Sequence, residues 1–227
     1  MKLFLVFIAI AIGFLQFKST RNPPLIKQVT NLQRNTSVTY TYTPDGKISA
    51  IVNSRGDSVI YKYAGSMILK STSKGLAPDT FALNDKGLAI LVNNINQQNQ
   101  IFYDADGFRV KMIVTGRGEG GGIKYWSVKG GNINSTWLIE EGKKQDSTVY
   151  TYYTAKLNTI GNENMGQGFR GKSSKNPEHE LLSFDETGLI IGRIIYSYHY
   201  DAAGRITIRA AYTSNGTLTD STGYDYY

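Results

Sequence analysis

Tyr198-His199-Tyr200-Asp201-Ala202-Ala203-Gly204-Arg205-Ile206-Thr207-Ile208 reads as one β-hairpin. Tyr198 and Tyr200 alternate with His199, so the two tyrosines share one face of a strand. Asp-x-x-Gly then turns the chain. An aspartate side chain accepts from its own turn backbone, and glycine tolerates the positive φ that the turn requires. Ile206 and Ile208 resume the alternation on the way back. Turn formation alone accounts for Asp201 and Gly204.

Degenerate copies of this grammar recur along the chain. Ser37 to Thr43 alternates strictly, placing Val38, Tyr40 and Tyr42 on one face before the turn Pro44-Asp45-Gly46. Val59, Tyr61 and Tyr63 form the next stripe before Gly65. Phe81 to Leu88, Phe102 to Phe108 and Phe184 to Leu189 are three further copies, and Tyr125 to Ile133, centred on Gly130-Gly131, is one without the acid. Gly46, Gly65, Gly87, Gly107 and Gly130 succeed one another at about twenty residues, the length of a hairpin and its connector. Asp45, Gly46, Asp106, Gly107, Asp185, Gly188, Asp201 and Gly204 are accordingly assigned to turns. About fourteen short strands are predicted, with no helix beyond the N-terminal leader. The fold class is therefore all-β: an antiparallel up-and-down meander of hairpins, curled or closed into a barrel-like sheet that removes its edges.

The flanks divide the chain further. Lys2 precedes Leu3 to Leu15, thirteen apolar or glycine residues, followed by Gln16 and Lys18. This is the pattern of a secretory signal peptide, too short to span a bilayer, and it assigns residues 1–19 to a leader. Residues 20–35, with Pro23-Pro24, read as an extended linker, and 36–227 as a single β domain. Within that domain, 158–180 is polar, glycine-rich and without periodicity, and is predicted to be a long mobile loop. The protein is thus expected to be exported, to the periplasm, the cell surface or the medium.

Composition narrows the function. The chain contains no cysteine, which excludes disulfides, thiolate metal sites, a cysteine nucleophile and a lipidated cysteine after the leader. The net charge of +7 is spread along the chain with no run of five basic residues, which argues against nucleic acid as a partner. Sixteen tyrosines and 24 glycines stand beside only two histidines, a balance suited to strands and turns.

On the residues Tyr198 to Ile206, with weaker copies at Tyr42, Phe102 and Phe184, the repeat resembles the YD repeat of the Rhs/YD-repeat proteins. Together with the leader, the spacing is also similar to that of short secreted Bacteroidetes-type proteins of unknown function with a porin-like β-structure. The first resemblance implies a β-shell, which in the large Rhs proteins surrounds a toxin and in other members has been linked to carbohydrate binding. No toxin segment is recognisable in this sequence.

Specific chemistry is sparse. Asp104-Ala105-Asp106-Gly107 begins like a calcium loop, but Phe108-Arg109-Val110 supplies neither the third ligand nor the later glutamate. Gly116 to Gly121 and Gly166 to Gly171 both match Gly-x-Gly-x-x-Gly, yet neither opens a helix whose N-terminus could hold a pyrophosphate, so both read as flexible loops. His179 and His199 lack recognisable partners, and no catalytic residue, metal or cofactor is predicted. The aromatics remain as candidate ligand-binding residues: Trp126 and Trp137, with Tyr61 and Tyr63, which could stack on a cell-surface glycan. The leading expectation is an exported, non-enzymatic binding or envelope-associated module whose partner is a glycan or an envelope protein. Two alternatives stand beside it: a small outer-membrane β-barrel, and an enzyme with a site built from 158–180. Membrane contact is expected only through an uncleaved leader or the barrel.

Overall fold

The computed structural model describes residues 23–116 and 121–227. The leader assigned to 1–19 and most of the first glycine motif lie outside the described residues. Alternation of apolar and polar residues produces sixteen strands. The first half of the sheet is β1 (Ile26–Asn31), β2 (Thr36–Tyr42), β3 (Ile48–Asn53), β4 (Ser58–Ala64), β5 (Met67–Thr72), β6 (Asp79–Leu83), β7 (Ala89–Asn93) and β8 (Gln97–Tyr103). The second half is β9 (Arg109–Gly116), β10 (Gly122–Lys129), β11 (Asn132–Glu140), β12 (Lys143–Tyr152), β13 (Glu178–Phe184), β14 (Ile190–Tyr200), β15 (Ile206–Thr213) and β16 (Leu218–Tyr226). Each strand pairs antiparallel with its sequence neighbours, and β1 pairs with β16, which closes the meander into a barrel with no free edge. A single 3-10 turn, Gly168–Arg170, interrupts the all-β pattern.

Three expectations need correction. Strand β1 lies inside the segment read as a linker: a bulge between Ile26 and Gln28 breaks its alternation, so the period of two is lost. Residues 158–177 are not a loose loop but a packed connection between β12 and β13, and 178–180 already belong to a strand. Ile206 and Ile208 do not share a face. A bulge between His199 and Tyr200 shifts the register, so Ile206 (opposite Tyr200) and Arg209 (opposite Tyr198) point inward and Ile208 pairs with outward His199.

Seven of the hairpin turns among the described residues obey one rule. An Asp, Asn or Thr lies three residues before a glycine, and its side chain accepts from the backbone N–H four residues on. Asp201 accepts from Arg205 at 2.8 Å, Asp185 from Leu189 at 3.0 Å, Asp104 from Phe108 at 2.9 Å and Thr43 from Lys47 at 3.1 Å. Gly46, Gly107, Gly188 and Gly204 take up φ of +78°, +91°, +88° and +78°. Asp45 and Asp106 sit one residue before the glycine, at the turn tip. Asp45 holds Thr43 Oγ1 and Lys47, while in the other turn the backbone is held by Asp104.

The tyrosine stripes face the lumen, where Tyr40 and Tyr61 join the buried core with Ile26, Ile48, Ile68, Phe81, Ile206 and Tyr224. Five tyrosines at the ends of even-numbered strands repeat one contact. Tyr42, Tyr63, Tyr103, Tyr152 and Tyr226 donate their hydroxyls to the carbonyls of Ile26, Ile48, Ala89, Ile133 and Ile206, which open the preceding strands. Burial pushes all five hydroxyls above the ordinary tyrosine value, to about 12 at Tyr63 and Tyr226. Each such bond is worth about 1 kcal/mol, and together they tie strand pairs to one another at one end of the barrel.

Candidate functional site

That end carries the β2–β3, β6–β7, β8–β9, β10–β11 and β14–β15 turns, and the connection 157–177 closes it as a plug. Its seating follows from the bulged hairpins, which leave backbone groups free beside each turn. Ile26 N donates to Asn164 O and Ile48 N to Gly166 O, both at 2.9 Å. Lys172 N donates to Gly107 O at 2.9 Å, and Lys175 N to Gly131 O at 2.8 Å. Ile206 N reaches Thr159 Oγ1, and Asn132 and Asn176 exchange two bonds of 3.0 Å. Phe169 is the apolar anchor, buried with its ring 5.2 Å from that of Phe81 and 6.2 Å from that of Tyr61.

The second glycine motif is the plug's docking surface. Gly166 has φ +64°, and a Cβ there would stand 2.7 Å from both Ile48 N and Tyr42 Cε1. A Cβ on Gly171, at φ +87°, would meet the Tyr103 ring and Gly107 O. These glycines permit backbone contact with the barrel wall.

Under the plug lies a cavity of about 400 Å³ whose wall includes Arg109, Trp126, Arg170, Glu178, Tyr198 and Arg209. A second space of about 570 Å³ adjoins it across Met165 and Arg209 and leads to Asn31, Thr36, Asn53 and Arg55, beside the turns of the opposite end. The lumen is therefore a cup, plugged at one end, with a polar mouth at the other.

Charge in the cup is segregated. Arg209 stands 3.3 Å from Asp220, which also receives Asn31 and Thr222. Glu178 lies nearby, and burial raises its carboxyl above the ordinary range against the opposing pull of Arg209. Arg109 and Arg170 lie together: an Arg109 Nη2 donates to Arg170 O at 3.4 Å. The Arg109 guanidinium is 5.3 Å from the Trp126 ring centre and Lys124 Nζ is 5.7 Å from it. Burial lowers the pKa of Arg109, the neighbouring Arg170 charge adding to the effect.

The sequence-based ligand residues are not brought together. Trp126 faces the cup. Trp137 faces outward, paired across the ladder with Tyr125 and stacked on it at 5.3 Å. Tyr61 is buried against the plug, and the Tyr63 hydroxyl is committed to Ile48 O. Among the described residues no group of three His, Cys, Asp or Glu side chains could hold a metal. Sequence reasoning missed Arg109, Arg170, Arg209 and Glu178. For Arg109, Arg209 and Glu178 the one signal is strand parity beside the inward tyrosines, which the bulges conceal; Arg170 lies in the plug, where no parity applies.

Comparison with known proteins places the fold. No protein-family model and no curated protein sequence matches the chain. Among solved structures, it is similar to a porin-like protein from Bacteroides uniformis, with a TM-score of 0.66 and 12% identity over 89% of this chain and 98% of that one. A porin-like protein from Bacteroides vulgatus gives a TM-score of 0.65 and 15% identity over 89% and 99%. The fold is that of a porin-like, sixteen-stranded antiparallel barrel. These comparisons give no support to the YD-repeat resemblance, whose Asp-x-x-Gly signature is here the ordinary chemistry of a bulged hairpin.

Proposed function

We propose that this protein is a non-enzymatic barrel of the bacterial cell envelope that receives a ligand in its plugged lumen and does not conduct across a membrane. The observation that carries this reading is the cup itself: a charged cavity beneath a plug fixed by backbone hydrogen bonds on several sides. The outer surface argues in the same direction. A transmembrane strand needs about 9–11 residues and an outward apolar band about 25 Å tall. Among the described residues only β11, β12, β14 and β16 reach nine residues. Polar outward positions include Thr39 and Thr41 on β2, Gln98 and Gln100 on β8, Ser147 and Thr151 on β12, and the ion pair of Glu180 with Arg193 across β13 and β14, and they interrupt apolar ones such as Val52, Phe102 and Val149.

The second reading, a barrel inserted in the outer membrane, is favoured by the closure of the sheet and by its likeness to porin-like proteins. Closure satisfies every ladder, as lipid requires of any spanning structure. Among the described residues no helix is long and apolar enough to cross a membrane, which says nothing of strands. Cell fractionation separates the two readings. The cup reading expects recovery in the soluble envelope fraction without detergent, and recovery solely from detergent-extracted outer membrane would replace it with the second.

A further inference from the structure

Two guanidinium groups in the cup lack a counter-charge. Arg209 has Asp220, and Lys70 is satisfied by Asp79 at 2.7 Å. Arg109 and Arg170 have no carboxylate oxygen within 4.0 Å among the described residues. The Nε atom of each, like that of Arg209, is buried without a hydrogen-bond partner. Their charges are instead set over rings, Arg109 over Trp126 and Arg170 over Phe81 and Phe169 at 5.8 and 5.6 Å. Burial and the neighbouring Arg170 charge both act against the Arg109 guanidinium, and an anion joining the two arginines relieves both effects. The Arg170 backbone is fixed at the cavity, because it belongs to the 3-10 turn anchored by Phe169. Lys124 adds a third cation at the other side of Trp126, and Lys172 a fourth at the cavity wall.

We propose that Arg109 and Arg170, flanked by Trp126, form a luminal site for a small oxyanion, a carboxylate or a phosphate group. The planar fork of arginine matches both groups with paired N–H donors. The free Nε atoms are donors of the kind such a pairing uses. The cavity of about 400 Å³ accommodates a ligand of monosaccharide size bearing that group, with Glu178 in the same wall able to accept from its hydroxyls.

This inference rests on the cup reading, and fluorescence quenching tests the two separately. The chain has two tryptophans, and Trp137 lies on the outer face, so a Trp137→Phe protein reports from Trp126 alone. Quenching by neutral acrylamide shows an open cup; a Trp126 that acrylamide cannot reach overturns the cup reading and the site with it. Given an open cup, iodide is expected to quench about tenfold more efficiently than caesium, because a basic cleft concentrates anions. Arg109→Gln and Arg170→Gln are each expected to abolish most of that preference, while circular dichroism shows the fold retained. Inorganic phosphate or galacturonate is expected to protect Trp126 from iodide where sodium chloride of equal ionic strength and neutral galactose do not. Protection by galacturonate alone identifies a carboxylate ligand, and protection by phosphate alone a phosphate. Equal quenching by iodide and caesium, or protection unchanged in both arginine variants, overturns the oxyanion site and leaves the cup standing.

Discussion

At the plugged end, Ile26, Ile48, Ile68 and Ile206 are fully buried beneath residues 157–177, whereas at the mouth Leu76, Ile95, Leu189, Ile190 and Ile191 stand more than half exposed. Both ends use the same turn: Asp201 and Gly204 form it beside the plug, Asp185 and Gly188 form it at the mouth. The turn therefore does not decide which end is sealed. A single connection does, by donating and accepting where the bulged hairpins leave backbone groups free. An apolar residue at a hairpin end joins the core only where something covers it.

The largest expected contrast comes from removing that cover. Phe169→Ala empties the space between Phe81 and Tyr61 and is expected to cost about 3–4 kcal/mol, the usual range for a buried phenylalanine. Leu189→Ala at the mouth is expected to change stability by less than about 0.5 kcal/mol. Urea denaturation of the two variants makes the comparison, and equal midpoint shifts would show that the plug does not stabilise the barrel.

A subtler version leaves the apolar anchor in place. Gly166→Ala forces a Cβ against Ile48 N and the Tyr42 ring at a positive φ, with an expected cost of about 2 kcal/mol. Gly216→Ala at the mouth has the same strained backbone, φ +83°, but meets nothing within 4 Å, so about 1 kcal/mol is expected. The first variant is also expected to expose 157–177 to limited proteolysis, since its docking contacts are the ones lost. A Gly166→Ala protein as protease-resistant as the parent would place the plug's stability elsewhere.

The barrel was legible because its signals are local. Alternation at Val38, Tyr40 and Tyr42 and the repeated turn glycines require nothing from distant sequence, and they yield an antiparallel meander. That the sheet curls or closes to remove its edges also followed, since an exposed strand edge is a liability, but the choice between the two rests on the long-range pairing of β1 with β16. The plug was not legible because the bonds that dock it on the barrel are long-range: Asn164 to Ile26, Lys172 to Gly107 in the β8–β9 turn, Asn176 to Asn132. Read alone, its glycines and asparagines have the composition of a loop. The arginines were hidden by parity. Counting in twos from Ile206 puts Ile208 inside, but the bulge brings Arg209 there instead. Bulges therefore conceal the charged lining of the lumen more thoroughly than they conceal the strands.

The smallest effect expected is one of pH, and it belongs to the cup rather than to either rim. Burial raises the Glu178 carboxyl above its ordinary value of 4.5, so the folded state holds that proton more tightly than the unfolded chain. Its contribution to stability is complete below pH 4.5 and is lost as the pH rises through the raised folded value. The turn acids Asp45, Asp57, Asp185 and Asp201 have the opposite sign. Their folded values lie below 3.8, so their contribution is present above 3.8 and disappears only on further acidification. The two windows do not overlap, which makes the carboxyl in the lumen separable from those at the turns. Glu178→Gln, which keeps the shape and cannot ionise, is expected to raise the melting temperature at pH 7 and to flatten its dependence on pH above 4.5. Thermal melts from pH 4 to 8 check both effects, and an unchanged slope would mean that Arg209 already neutralises Glu178 in full.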